Sequence, residues 1–394
     1  MNKKLLAVAI GAALAAPMYA ANAAVTVGGQ AHISADYTDT FAATGTTVNA
    51  SDTKQLWNIS SNVSNIFFKA EEDLGGGLKG VFFLQEYFRL DNNSGAVNSG
   101  TLTGGNRMHD APAYAGLSGG FGSILLGNMD SPTKLVGRAV DLFNNQIGDS
   151  RNAAADNTRM QNSVFYATPN FGGVVVTLAH STNLDNTIAA TSADTTVNAG
   201  GPPLTAAPVA VTGSKTGNAL AVKFEQGPVL VGAAYQYVIN NDSTTGPAVY
   251  DDNVIWNVGA AFKIGTAARI VAFYQDASAN GNVIGTDAAT YGLGGSFTFG
   301  NETIKAQYYN VTKSQLARTD VSSSVYAIGY DHAFSKTFTG YVAYAVADND
   351  ATIAGVTASG NTVGSTGGGG HGDAPNVFAG ESQSSLSLGI IFNF

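Results

Sequence analysis

The sequence predicts an all-β protein, a single transmembrane antiparallel β-barrel of about sixteen strands. Three observations predict it. The last ten residues alternate in polarity with one exception, similar segments recur along the whole chain, and the connections between them alternate between short and long. From Ser385, the residues Leu386, Leu388, Ile390, Phe392 and Phe394 fall on one face, and Ser385, Ser387, Gly389 and Asn393 on the other, with Ile391 as the exception. A period of two with one apolar face and one mostly polar face describes a strand between two different solvents. Phe394, an aromatic at the very end, is expected at the membrane interface as the insertion end of the barrel.

Strand-like segments are read at 24–42, 56–73, 78–90, 108–118, 122–129, 159–168, 173–184 and 217–226. They continue at 228–240, 253–263, 267–277, 288–299, 302–313, 323–334, 337–349 and 382–394. Most reach the length of about ten residues that crosses the hydrocarbon when tilted. The short connections are 74–77, 118–121, 169–172, 227–228, 264–266, 300–301 and 335–336, and the long polar ones include 91–107, 130–158, 185–216 and 350–381. Short periplasmic turns and long extracellular loops are the rhythm of an outer-membrane barrel. A soluble sandwich has no reason to keep it.

Composition agrees with a strand that meets lipid. Apolar residues make up 44% of the chain and charged residues only 12%, against about 25% in ordinary soluble domains. Glycine (48), Phe (20) and Tyr (16) are abundant. No run reaches the ~18 apolar residues of a membrane helix. There is no cysteine, so stability is expected from a closed hydrogen-bonded sheet rather than from disulfides.

The N-terminus predicts export. Lys3 and Lys4 precede a short apolar run, Leu5 to Ala16, and Ala21-Asn22-Ala23 forms an A-x-A cleavage site. Residues 1–23 are therefore read as a signal peptide cut between Ala23 and Ala24, and 24–394 as one barrel domain. Loss of Lys3 and Lys4 lowers the 19 basic residues to 17 against 28 acidic ones, net −11. That balance excludes nucleic acid as a partner and suits acidic surface loops that bind divalent cations.

Segment 130–158 differs from the other long loops. Residues 134–143 carry Leu135, Val136, Val140, Leu142 and Phe143, so this loop is expected to fold back and pack. Segments 185–216, with Pro202-Pro203, and 350–381, with Gly367 to Gly370, have the composition of solvated loops.

Two glycine patterns mimic enzyme motifs. Gly116-Leu117-Ser118-Gly119-Gly120 fits G-x-S-x-G, and Gly75, Gly77 and Gly80 fit G-x-G-x-x-G. Each joins two strands and opens no helix, which both chemistries need, so each reads as a turn. His32, His109, His180, His332 and His371 show no metal-ligand spacing. No metal, cofactor or catalytic residue is expected.

Several stretches carry a family resemblance. Residues 24–30 (AVTVGGQ) resemble the first strand of the general bacterial porins of proteobacteria. Residues 68–82 (FKAEEDLGGGLKGVF) resemble that family's F-K-G-x-E-D-L-G-G-G-L-K-A hairpin, and 113–122 (AYAGLSGGFG) its next turn. Residues 159–171 (RMQNSVFYATPNF) match R-x-x-N-S-x-x-Y-x-S-P-x-F, and the final Phe is shared. The resemblance implies a homotrimeric outer-membrane channel for passive diffusion of small hydrophilic solutes and ions, in contact with lipid and lipopolysaccharide. It also implies a constriction made by loop 130–158 inside the lumen, with Asp141, Phe143, Asp149 and Arg151 at the loop tip.

Where the family has wall arginines, this sequence has Asn65, Ala111 and Asn128. Arg159 is retained. Strand parity points Lys69 inward with Asn65, Arg107 and His109 with Ala111, and Arg89 with Gln85. Asp141, Asp149, Arg151, Arg159, Lys69, Arg89 and Arg107 are thus the expected constriction residues. With three wall positions neutral and the loop acids kept, a weak cation preference is expected. The alternative is a substrate-selective channel, for saccharides or organic ions, if inward aromatics such as Phe67 and Phe83 form a track.

Overall fold

The computed structural model describes residues 24–42, 54–91, 111–153, 159–184, 214–241, 252–280, 287–313, 321–349 and 381–394. The signal segment, Arg107, His109, Asp156 and loops 185–213 and 350–380 lie outside the described residues. Every described strand joins one antiparallel sheet that closes on itself. The strands are β1 (Ala24–Ala42), β2 (Lys54–Ser61), β3 (Asn65–Gly75), β4 (Leu78–Tyr87), β5 (Ala113–Gly119) and β6 (Gly122–Asp130). After the constriction loop come β7 (Arg159–Ala167), β8 (Val174–Leu184), β9 (Ser214–Gln226), β10 (Val229–Asn241), β11 (Asp252–Ile264) and β12 (Ala268–Asn280). The wall is completed by β13 (Ala288–Phe299), β14 (Glu302–Lys313), β15 (Val321–Ala333), β16 (Phe338–Asn349) and β17 (Glu381–Asn393).

The seventeen segments make a sixteen-stranded barrel because β2 and β3 are two halves of one stave. Both pair with β1, through Ile33↔Ser61 and Gln30↔Asn65. The sequence predicts this stave unbroken over 56–73. It breaks at Asn62, Val63 and Ser64, where Val63 takes φ 56°, a conformation strained for a β-branched residue. Polar groups brace the break. Ser64 Oγ donates to the His32 carbonyl at 3.0 Å, Asn62 Nδ2 to Ser34 Oγ at 2.8 Å, and Asn65 Nδ2 to the Val63 carbonyl at 3.0 Å.

Closure joins the two ends of the chain. β1 pairs with β17 from Gln30↔Asn393 to Ala42↔Glu381. Beyond that ladder, the Gly29 and Phe394 backbones exchange hydrogen bonds of 2.9 and 3.0 Å. In a membrane this closure matters because no edge is left to expose unpaired N–H and C=O groups to lipid.

The two faces follow from the alternation. Leu386, Leu388, Ile390 and Phe392 are exposed on the outer wall, as are Trp256, Val258, Tyr291, Leu293, Tyr326 and Ile328. Ser385, Ser387, Gln236, Asn257, Gln275 and Gln307 point inward. Such an inverted arrangement is stable only where the outer solvent is hydrocarbon.

Both enzyme-like glycine motifs are hairpin turns. Gly75, Gly76 and Gly77 join β3 to β4 with φ of 86°, 62° and 80°, values that glycine alone adopts without cost. Residues 116–120 run from β5 into the turn before β6.

Candidate pore constriction

The loop between β6 and β7 folds into the barrel rather than out of it. Its first turn is a short helix, α1 (Pro132–Arg138), with proline at its start and Ser131 as the cap, whose Oγ accepts from the Lys134 amide at 3.2 Å. Asp149 caps a 3-10 turn at Ser150–Asn152. Both devices use the unpaired N–H groups at a helix start.

Apolar residues of the loop seat on a wall that has been cleared for them. Val136 lies over Gly232, where an added Cβ would come within 3.1 Å of its Cγ2. At Gly259 an added Cβ would lie 3.1 Å from Val140. Phe143 and Ile147 are fully buried against Ala327, Tyr341, Ala343 and Ala345. Val140 joins Phe273, Tyr309, Val311 and Val325 in a second cluster. The small wall residues provide the depth that the large loop residues fill.

Polar contacts fix the register of the loop on the wall. Thr133 Oγ1 donates to Gln236 at 3.0 Å, Asn257 Nδ2 to the Thr133 carbonyl at 2.8 Å, and the Leu142 amide to Gln307 at 2.8 Å. Lys305 donates to Gln146 at 2.7 Å, pairs with Asp331 at 2.8 Å, and sits 4.9 Å over the Phe143 ring.

Asp141 and Asp149, expected at the loop tip, are both buried. Asp141 accepts from the Phe143 amide at 2.9 Å, the Ser150 amide at 3.2 Å and Ser150 Oγ at 3.1 Å. Burial and the neighbouring Asp149 charge push its carboxyl up to about 7. Asp149 pairs with Arg151 through two contacts of 2.9 and 2.5 Å, and Arg151 also donates to Asn145. Despite burial, Arg151 holds Asp149 below the usual carboxylate range. The polar contacts of these three residues are made within the loop.

A second set of charges is organised around Asp130. Lys134 reaches it at 2.8 Å, Arg138 at 3.0 Å and Arg159 at 3.1 Å. One carboxylate thus meets three cations, an excess of two positive charges. The Arg138 side chain is 36% exposed and Arg159 22%, whereas Lys134 is only 1% exposed. Desolvation lowers the Lys134 ammonium to about 8, against the pull of Asp130. Arg159 also donates to the Tyr87 hydroxyl at 2.8 Å and lies 5.3 Å over that ring.

The remaining expected residues scatter. Arg89 lies just beyond β4 and binds Asp91 at 2.8 Å. Lys69 faces the lumen nearer the short-turn rim, paired with Glu71 at 2.8 Å, with Lys79 on the same carboxylate at 3.7 Å. Asn65 and Asn128 bond backbone carbonyls, those of Val63 and Ala111, at 3.0 Å each. Sequence reasoning missed Lys134 and Arg138, which share Asp130 with Arg159. The signal available was their spacing of four and eight residues from Asp130.

A closed barrel, apolar outside and polar inside, with one loop narrowing its lumen, defines a class: the diffusion channels of the outer membrane. The chain belongs to the Gram-negative porin family, whose profile matches residues 6–352. It is 28% identical to outer membrane porin protein 32 of Delftia acidovorans, with 99% of each chain covered. It is 34% identical over 146 residues to the major outer membrane protein P.IB of Neisseria gonorrhoeae, 36% of each chain. Among solved structures, the anion-selective porin from Comamonas acidovorans superposes with TM-score 0.68 at 23% identity, covering 95% of this chain and 100% of that one. The trimer form of OmpT from Vibrio cholerae gives 0.61 at 15% identity, covering 94% and 99%. The protein is therefore a porin of the outer membrane, a channel for small hydrophilic solutes and ions and not an enzyme.

Proposed function

We propose that this porin is a general diffusion channel with a preference for anions, the reverse of the weak cation preference expected from sequence. The observation that carries the reading is the cluster at Asp130. Three cations share one carboxylate there, while Asp141 and Asp149 spend their charge inside the loop. Fixed charges within a few ångströms of a passing ion are screened far less than charges on outer loops. The net charge of −11 on the mature chain therefore counts for less than the excess of two positive charges at the narrowing. Arg159 and Arg138 form the selective wall, and Lys69 adds positive charge nearer the short-turn rim. The selectivity named for the Comamonas protein agrees with this reading, which rests on the charges of this chain.

Residues 1–23 act as a cleaved export signal. The A-x-A pattern at Ala21-Asn22-Ala23 supports a cut between Ala23 and Ala24. The assembly is a homotrimer in contact with lipid and lipopolysaccharide. An apolar depression on the outer wall lined by Ile33, Ala35, Ile59, Val342, Leu388 and Ile390 supports protein contact on that side, and a trimer form is named for the Vibrio protein. Acidic loop residues bind divalent cations between neighbouring lipopolysaccharides.

The test is the reversal potential of single channels in a KCl gradient. Chloride should permeate better than potassium. A reversal potential favouring potassium would refute the anion preference.

A further inference from the structure

We propose that the lumen wall across β3, β4 and β5 is a binding site for planar aromatic carboxylates. The inference extends the anion preference proposed above to a chemical class of solute. Its readout is separate.

Phe67, Phe83 and Tyr114 form a continuous row. Phe67 and Phe83 lie 5.8 Å apart with planes inclined by 26°, and Phe83 and Tyr114 lie 5.3 Å apart at 22°. Phe83 lies directly opposite Tyr114 on β5, and Phe67, which opposes Gln85, reaches Phe83 on the diagonal across β3 and β4. The neighbours of opposite parity, Phe68 and Phe82, are exposed on the outer wall. The row therefore faces water in the lumen. All three rings are half-buried, so part of each is open to a passing solute. On its far side Phe67 rests on bare backbone: a Cβ at Gly28 would lie 2.5 Å from Phe67 Cζ. Tyr114 packs beside the Met129–Met160–Phe165 cluster, but neither Phe67 nor Phe83 belongs to a buried cluster among the described residues.

Phe67 covers the Gly28 backbone, but core packing gives no reason for Phe83, and a water-filled pore is better lined by polar groups. Rings partly open to water gain by covering their faces with another flat apolar group. Charge beside the row selects the rest of the ligand. Lys69 and Lys79 flank one carboxylate, Glu71, and all three side chains are about half exposed, at 53%, 54% and 41%. Asp73 on the same face, opposite Lys79, balances this set, and the cation beside the rings is Lys69, opposite Phe83, which suits an anionic group on the ligand. A saccharide would need several directional donors and acceptors around its hydroxyls, and Gln85 is the one amide on this stretch of β4. An aromatic ring bearing a carboxylate meets both demands. The row also lies on the route from the constriction: Phe83 is four residues along β4 from Tyr87, the Arg159 partner, or about 13 Å.

The experiment uses the assembled porin in planar bilayers, with chloride current measured while benzoate, cyclohexanecarboxylate or acetate is added. Benzoate should interrupt the current saturably, and cyclohexanecarboxylate, equal in charge and similar in size but not flat, should do so several-fold less. Acetate should leave the current uninterrupted. Phe83→Leu should weaken the benzoate block about three- to tenfold, the range expected for losing an aromatic pair. Lys69→Gln should weaken it while keeping benzoate ahead of cyclohexanecarboxylate. If Phe83→Leu does not insert, Tyr114→Leu carries the same test. Equal block by the flat and the saturated acid, or undiminished block in Phe83→Leu, overturns the site. The KCl reversal potential of the same channels reports the constriction independently. A potassium-preferring pore that still shows flat-ring block refutes the anion reading and keeps this one, and a chloride-preferring pore without block does the opposite.

Discussion

Arg159 and Asp130 meet at 3.1 Å where β7 enters the barrel beside the end of β6, and this pair joins the wall to the loop. Asp130 is the last residue of β6, and Lys134 and Arg138 follow it on α1. The pair therefore ties the two roots of the constriction loop together, where neighbouring strands β6 and β7 leave the wall.

Removing Arg159 tests the cluster from its cationic side. One unit charge about 4 Å from an ion is worth about 1 kcal/mol even in bulk water. Arg159→Ala should therefore lower the chloride-to-potassium permeability ratio by up to about fivefold. Asp130→Asn should raise it, since three cations then lose their shared carboxylate. Bi-ionic potentials measure both variants, and a ratio unmoved by either would place the cluster away from the ion path.

Lys134 should make selectivity fall in mild alkali. Its ammonium titrates at about 8, so a rise from pH 7 to pH 9 removes one positive charge of the cluster. Chloride preference should decline across that window, and Lys134→Met should already show the reduced preference at pH 7. A wild-type ratio constant from pH 7 to 9 would contradict the assignment.

The docked loop should respond to pH through Asp141. Its carboxyl, ordinarily near 3.8, titrates at about 7 when docked. The groups facing it are Asp149, Arg151 and Tyr309. Across pH 4 to 7 the docked loop retains a proton that a released loop gives up. Docking is thus strongest in acid and weakens as pH rises through 7. Asp149, held below its ordinary value by Arg151, acts in the opposite sense only in stronger acid. Open-channel current noise should grow from pH 4 to 7 in the wild type and change little in Asp141→Asn.

Loop docking itself can be broken in two ways. Phe143 is fully buried, and Phe143→Ala should cost about 3–5 kcal/mol of docking energy. Gly148 has φ 81°, and a Cβ there would lie 2.4 Å from Ala327 Cβ, so Gly148→Val should also lift the loop. Both variants should insert as heat-modifiable barrels with higher, noisier conductance, as should deletion of residues 134–150. Unchanged conductance would mean that the loop does not limit the pore.

The barrel was legible because a strand between lipid and water must alternate, and a span must recur at nearly constant length. Segments such as 288–299 and 302–313 coincide with observed strands for that reason. The break at Val63 was not legible, since nothing local in Asn62-Val63-Ser64 signals a positive φ. Apolar residues at 135–143 announced a packed loop, and the loop packs on the wall. The direction of its acids was hidden. Whether Asp141 and Asp149 face ions or each other's backbone depends on Ser150 and Arg151 closing a local turn, which charge counting does not register. Parity correctly sent Lys69, Phe67 and Phe83 inward, because a strand's period of two survives any tertiary context.

The bonds between Gly29 and Phe394 have a consequence for biogenesis. The two partners stand at nearly opposite ends of the polypeptide, so the seam is the contact of greatest sequence separation and its loop entropy is the largest to overcome. The final stave has to arrive before the first can be satisfied on both sides. Until then a half-built cylinder carries two open margins, each able to recruit a stray strand. Newly exported chains should therefore depend on periplasmic holdases and on an insertion machine that shelters the margins until they meet.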